Sequence, residues 1–298
     1  MKGRWLINLI LLIVVLFTSF FVWNILQKEP EKIQRFEISS LRLANFDEIQ
    51  IDFPSRVRTH FKVENSHWRM ISPYNARADE LYVYRILSLL ATSSSEKLSS
   101  SDLSKYGLDK PRLKITFSNK DQKEVFLFGT YNPINEEQYI KYKEDVYLVS
   151  GGFSETASFV AVELIDKKPI ASFEKINGFD FSRLEQWQTN QLKLVIKNNK
   201  WLAQGRGVDL DQVEILDWFD IAWENLVGIS VEPYEIDAKV GYKSFDIILD
   251  SNKKLTFYRI QESPELTLFR KDEGLLYHFK GDLGFTMLNP HVRVKDKE

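Results

Sequence analysis

Gln191-Leu-Lys-Leu-Val-Ile-Lys-Asn-Asn-Lys-Trp201 is the stretch on which the fold turns. Apolar and polar residues alternate along it with the period of a half-buried strand. Asn198-Asn199 then interrupt the pattern with two residues that tolerate the positive φ of a tight hairpin, and the strand resumes towards Trp201. The same design occurs earlier, in Thr59-His-Phe-Lys-Val-Glu-Asn-Ser-His-Trp68. After each tryptophan come a short irregular piece and an acidic residue that opens a helical pattern. One helix is expected over Asp79 to Ala91, with Leu81, Val83, Tyr84, Ile86, Leu87 and Leu90 apolar. The other is expected over Asp211 to Asn225, with Val213, Leu216, Phe219 and Trp223 at three-to-four spacing.

The parallel continues downstream. Arg112 to Phe117 and Glu124 to Phe128 flank a turn at Ser118-Asn-Lys-Asp, as Lys243 to Leu249 and Leu255 to Tyr258 flank Asp250-Ser-Asn-Lys. A second hairpin follows in each half: Gln138 to Val149 turning at Glu144-Asp145, and Leu266 to Phe279 turning at Asp272-Glu-Gly274. Each half closes on a helical piece, Ser154 to Ile165 and Asp282 to Leu288. Antiparallel hairpins with helices to one side make an α+β fold. The sequence therefore predicts two related antiparallel-sheet-plus-helix repeats, 36–168 and 169–298, with the boundary at Lys167-Lys-Pro-Ile170; a single sheet merged across both halves is the alternative. The serine-rich piece Thr92 to Ser101 reads as an exposed loop.

Ahead of these repeats, Leu6 to Leu26 carries no charge, and its length matches a ~30 Å hydrocarbon layer at ~1.5 Å per residue. Trp5 and Trp23 stand near its ends, where indole rings favour the headgroup region. No small-x-small cleavage sequence follows it before Lys28, as a removable signal peptide requires. Residues 1–27 are thus expected to be a cytoplasmic tip and an uncleaved transmembrane anchor, with Trp5, Leu6, Trp23 and Leu26 marking its limits, and 28–35 a spacer. Lys2 and Arg4 ahead of the run favour an N-terminus inside and a periplasmic or otherwise extracytoplasmic remainder, although Lys28, Lys32, Arg35 and Arg42 on the far side weaken the asymmetry.

Composition narrows the classes further. With no cysteine there is no disulfide framework, thiolate metal site or thiol nucleophile. A formal charge of −2 argues against a nucleic-acid binder. Beyond the anchor the balance is 38 basic to 42 acidic residues, a mildly acidic −4.

Trp68 leads into Ile71-Ser-Pro73, then Ala76-Arg-Ala-Asp79 and the helix Leu81 to Leu90. Further on come Tyr106-Gly-Leu-Asp-Lys-Pro111, Leu127-Phe-Gly129, and Tyr139 ahead of Val146-Tyr-Leu148. On these elements the first half, over 59–165, resembles the bacterial domain-of-unknown-function family 4340. The resemblance implies extracytoplasmic proteins on a single N-terminal anchor, some similar to auxiliary components of gliding-motility-type transporters. It brings no reaction and no catalytic residue.

Motifs of chemistry are sparse. His60, His67, His278 and His291 lack metal-ligand spacing, and Asp209-Leu-Asp211 lacks the remaining ligands of a calcium loop, so Asp211, like Asp79, is expected to cap its helix. Asp217, Asp220 and Glu224 recur along one helix side as a solvated face. There is no nucleophile elbow and no phosphate loop, so no catalytic, cofactor or metal residue is expected. Trp187, Trp201, Trp218 and Trp223 belong mostly to the core; Trp218, between acidic positions, is the candidate interaction surface. The expected function is a non-enzymatic accessory or scaffold subunit of an envelope or transporter-associated complex, its partners the membrane and other envelope proteins. A cell-wall or exported-glycan binding module is the alternative, and a carboxylate-dependent hydrolase the third.

Overall fold

A computed structural model describes residues 2–26 and 35–294. The first helix, α1, runs Lys2–Leu26, and its side chains are described at Trp5 and over Leu9–Trp23, all of them exposed. Among the described residues no helix is long and apolar enough to cross a membrane. The side chains of Leu6 and Leu26 lie outside the described residues, as does the spacer from Lys28 to Gln34.

The body of the chain is α+β, built mainly on two antiparallel sheets. The first comprises β1 (Glu48–Asp52), β2 (Thr59–Glu64), β3 (His67–Ser72), β4 (Ala76–Arg77), β5 (Lys97–Ser99), β6 (Leu113–Ser118), β7 (Lys123–Asn132), β8 (Glu137–Tyr142) and β9 (Asp145–Ser150). Their order is β4-β3-β2-β1-β6-β7-β8-β9-β5. The second comprises β10 (Ile176–Asp180), β11 (Lys193–Lys197), β12 (Lys200–Gln204), β13 (Ser230–Pro233), β14 (Lys243–Leu249), β15 (Lys254–Gln261), β16 (Leu266–Arg270) and β17 (Leu275–Phe279). Its order is β12-β11-β10-β14-β15-β16-β17-β13. Set side by side, the orders coincide from β3 and β12 onwards. The bulge between Gln138 and Ile140 in the β7–β8 ladder also has its match between Arg259 and Gln261 in β15–β16. Among the described residues no strand of one sheet pairs with a strand of the other, so the merged sheet does not form.

Local chemistry accounts for most of these elements. Asn65 and Ser66 turn β2 into β3 at φ 51° and 68°, and Asn198 and Asn199 turn β11 into β12 at φ 51° and 57°. Both are the left-handed pairs that match strand twist. Helix α2 (Glu80–Leu87) is capped by Asp79, whose carboxylate accepts from the Leu81 amide. Two further helices are α3 (Gly152–Ala157) and α4 (Glu185–Gln188). Helix α5 (Gln212–Phe219) is capped by Asp211, which accepts from the amides of Val213 and Glu214, and α6 is Gly281–Leu288.

Several expected boundaries move. The long first helix gives way to a 3-10 turn at Ser88–Ala91, and the long second helix to a π-helical turn at Asp220–Glu224. The piece expected over Ser154 to Ile165 divides into α3 and a 3-10 turn at Ala161–Leu164. The serine-rich segment is not all loop: Ser93–Ser94 pairs with Phe36–Glu37, and β5 closes the first sheet against β9.

One contiguous apolar cluster runs through both sheets, from Ile49 and Phe61 to Phe257 and Met287. A small satellite of Tyr106, Leu108 and Val146 lies apart from it. Gly129 permits that satellite, because a Cβ there would stand 2.1 Å from the Tyr106 carbonyl oxygen. The tyrosine–glycine–leucine element is therefore a packing device.

Candidate functional site

The stretch read from sequence as a boundary is strapped from both sides. On the first-sheet side Ala78 bridges Ile165, the Asp79 amide donates to Leu164 O at 2.9 Å, and the Asp166 amide donates to Arg77 O at 2.9 Å. Three consecutive carbonyls then find donors. Lys167 O accepts from the Gly228 amide at 2.9 Å, Lys168 O from Arg77 Nη2, and Pro169 O from Arg270 Nη1 at 2.7 Å. A backbone held this way is a seam between the sheets and not a free linker.

Two buried arginines anchor the seam. Arg77, at the end of β4, pairs with Asp166 and reaches across to Glu273 Oε1 at 2.7 Å and the Tyr277 hydroxyl at 3.0 Å. That hydroxyl in turn donates to Glu273 Oε2 at 2.7 Å. Arg270, at the end of β16, holds Glu174 with two bonds of 2.8 and 2.6 Å and Asp272 Oδ1 at 2.9 Å. Such bidentate pairs suit the planar guanidinium.

Burial opposes the charge on both arginines, yet each is held above its ordinary pKa. The acidic groups of Tyr277, Glu273 and Asp166 do this for Arg77, and Glu174, Asp272 and Glu273 for Arg270. Burial also opposes ionisation of Glu174 and Asp272, but their bonds from Arg270 prevail and hold both carboxyls below the usual range. Asp166 goes the other way: burial lifts it above the ordinary aspartate value despite Arg77, and the nearby charge of Asp79 adds to the rise. Tyr277 is pushed up by burial and by Glu273.

Beside the seam opens a cleft of about 440 Å³ with walls from both sheets' sides of the molecule. Its lining includes His67, Asp79, Leu81, Asp166, Phe173 and Val227. The His67 ring stacks on Phe173 with centroids 4.2 Å apart, and both line the cleft. This volume falls in the range of ligand and peptide pockets, ~300–1,000 Å³. Ala76-Arg-Ala-Asp79 and Trp68, quoted above for the family resemblance, lie at or beside it.

The sequence candidates fare unevenly. Trp5 and Trp23 are exposed on α1. Trp218 is overturned as an interaction surface: it is 1 % exposed, and its indole donates to Thr286 O at 2.7 Å. Trp187, Trp201 and Trp223 are buried as well, so these four indoles form no open glycan platform. The buried side of α5 carries Ile215 and Trp218 and continues to Ala222, while Leu216 faces outwards. Among the described residues no group of histidines and carboxylates is arranged to hold a metal ion. His60 approaches Glu48 at 3.9 Å, and His278 lies between Glu232 and Glu265. Asp217, Asp220 and Glu224 are exposed along the α5 face and the turn after it. Sequence reasoning missed Arg77, Asp166, Glu174, Arg270 and Glu273 as a group.

Comparison with curated proteins and with solved structures finds no match. A family model described as a domain of unknown function, DUF4340, matches residues 68–268. The match runs from β3 to β16, past the first half and into the second sheet, and takes in Arg77, Asp166 and Glu174 of the seam with nearly the whole cleft lining. The chain belongs to the DUF4340 family.

Proposed function

We propose that this protein is a single-pass, membrane-anchored accessory or scaffold subunit of an envelope or transporter-associated complex, with α1 as the anchor and no reaction of its own. The observation that carries the reading is α1 itself. The sequence keeps Leu6 to Leu26 free of charge, long enough for the ~20 residues of a span. Every described side chain from Leu9 to Trp23 is exposed, so this helix, apolar on all faces, has an unmet need for an apolar environment. Lys2 and Arg4 ahead of the run support an N-terminus in the cytoplasm with the two sheets outside. The shared strand order supports two related repeats, 36–168 and 169–298, held by the Arg77 and Arg270 seam as one body. The seam carboxylates are bound to arginines in ion pairs, an arrangement suited to holding and not to turnover.

Affinity capture of the full-length protein from solubilised membranes tests the role. The expected result is a stoichiometric membrane or envelope partner; recovery of the protein alone at native levels refutes it. A periplasm-dependent reporter fused after Glu298 tests the topology, and an inactive fusion present at normal abundance would reverse the orientation.

A further inference from the structure

We propose that the cleft beside the seam is a docking site for a segment of a partner protein that presents a basic side chain next to an apolar one. The proposal rests on the scaffold role above and names the chemistry of the partner.

Three large apolar side chains stand open around this concavity: Leu81 at 74 %, Phe173 at 52 % and Val227 at 54 % exposure. Scattered singly such residues are unremarkable, but here they converge on one cleft from both sides of the seam. The charges in the lining are unbalanced. Arg77 is taken by Glu273, Tyr277 and Lys168 O as well as by Asp166, and Lys167 is paired with Glu163 at 2.7 Å. That leaves Asp79, Glu80 and Asp166 against Lys168, with His67 beside Glu80 at 3.4 Å. Asp166 is half-buried and lines the cleft, and burial holds its carboxyl above the ordinary aspartate value despite Arg77, so a cation entering the cleft would meet an acid that gains from it. Charge complementarity thus selects a guanidinium or ammonium group, and the Leu81, Phe173 and Val227 rim selects an apolar neighbour. A cleft of about 440 Å³ takes a few side chains of a segment and not a folded domain.

The test uses the full chain in lipid nanodiscs and ligand-observed NMR with three capped tripeptide amides: Leu-Arg-Leu, Leu-Glu-Leu and Gly-Arg-Gly. Leu-Arg-Leu should bind about tenfold tighter than either of the others, the discrimination expected when one charge contact or one apolar contact is lost. Asp79→Asn keeps a helix-capping side chain and removes only the charge; Phe173→Ser removes the apolar wall. Each should weaken Leu-Arg-Leu by about fivefold or more, while Asp217→Asn, outside the cleft, leaves it unchanged. Asp166→Asn is a poorer probe because it also strips Arg77 of a partner. Equal affinity for the three peptides, equal affinity for spermine, or binding indifferent to Asp79→Asn and Phe173→Ser would each overturn the proposal. Should native partner capture survive both variants intact, the cleft proposal falls and the scaffold role stands. Peptide discrimination with no captured partner removes the scaffold role and keeps the specificity of the cleft.

Discussion

The corner where β3 meets α2 and the corner where β12 meets α5 solve one problem with different parts. In both, a tryptophan near the hairpin turn has an outward-facing backbone that the sheet leaves unpaired. Trp68 N–H donates to Glu80 Oε1 at 3.4 Å, and Trp68 O accepts from the Ala78 amide at 3.1 Å. Trp201 N–H donates to Gln212 Oε1 at 3.2 Å, and Trp201 O accepts from Gln212 Nε2 at 2.8 Å. The first corner has β4 and Ala78 beside it, so a carboxylate that only accepts is sufficient. At the second corner the chain leaves to pair Val208–Leu210 with Val292–Val294, and a single amide must both accept and donate. The freed strand at the first corner is what carries Arg77 to the seam, so one corner is specialised for joining the halves and the other for closing its own.

A second contrast concerns the helix that ends each half. The last three residues of α6, Thr286, Met287 and Leu288, offer carbonyls that receive the indole N–H groups of Trp218, Trp223 and Trp187 at 2.7, 3.2 and 2.9 Å. Carbonyls at a helix C-terminus lack intrahelical donors, and three tryptophans supply them from inside the core, Thr286 O accepting from the Asn289 amide as well. No tryptophan contacts of this kind are made by α3 among the described residues. The largest expected effect therefore lies here: Trp218→Ala should cost about 3–5 kcal/mol in urea unfolding, and Trp218→Phe about 1–2 kcal/mol, the share of the lost bond. A loss below 1 kcal/mol for the alanine variant would mean that the indole is not the cap it resembles.

The seam comes next. Glu174→Gln weakens the bidentate partner of Arg270 and should cost about 1.5–3 kcal/mol at neutral pH. Its pH signature separates the two arginines. Glu174 is depressed, so its contribution is present above the ordinary glutamate value and lost as pH falls through its lowered one. The Glu174→Gln variant should therefore lose stability less steeply than the parent on acidification below about pH 4.5. Asp166 is raised, so its ionised form is a cost that is relieved as pH falls through its raised value towards that of the unfolded chain. Asp166→Asn should abolish that opposite slope. Identical acid profiles for the two variants would show that the arginines are not distinguished as described.

Gln212→Glu and Glu80→Gln test the corners directly. The first removes the Gln212 Nε2 donor to Trp201 O and should cost about 1–2 kcal/mol. The second keeps an acceptor for Trp68 N–H and should change stability by less than about 0.5 kcal/mol. Equal effects would erase the contrast.

How far the sequence carried these features depended on their range. The hairpins and caps are local: Asn65-Ser66, Asn198-Asn199, Asp79 and Asp211 act within a few residues and were readable. Strands β1 and β10 were not, although Ile49 and Ile51 alternate correctly, because β1 is short and finds β6 far along the chain, with Ile49 opposite Phe117. Helix α5 misled because apolar residues occur at nearly every phase of its turn, so Leu216 and Phe219 could claim the inner side that Ile215 and Trp218 occupy. The seam was the least legible. Arg77 and Glu273 lie 196 positions apart, and nothing around either residue signals that its charge will be buried.

The smallest expected effect compares the two hairpin turns. Ser66 and Asn199 hold equivalent positions with φ of 68° and 57°. Serine is poorly suited to left-handed backbone, whereas asparagine visits it at low cost through its own polar side chain. Glycine is at ease there and forms the favoured Asn-Gly pair of such turns. Ser66→Gly should therefore stabilise the protein by about 0.5–1 kcal/mol, offset in part by the extra freedom glycine gives the unfolded chain. Asn199→Gly should change stability by no more than a few tenths of a kcal/mol. The measurement is urea unfolding of the two single variants beside the parent. A gain at Asn199 as large as that at Ser66 would show that the first turn carries no extra strain, and that the two hairpins differ only in name.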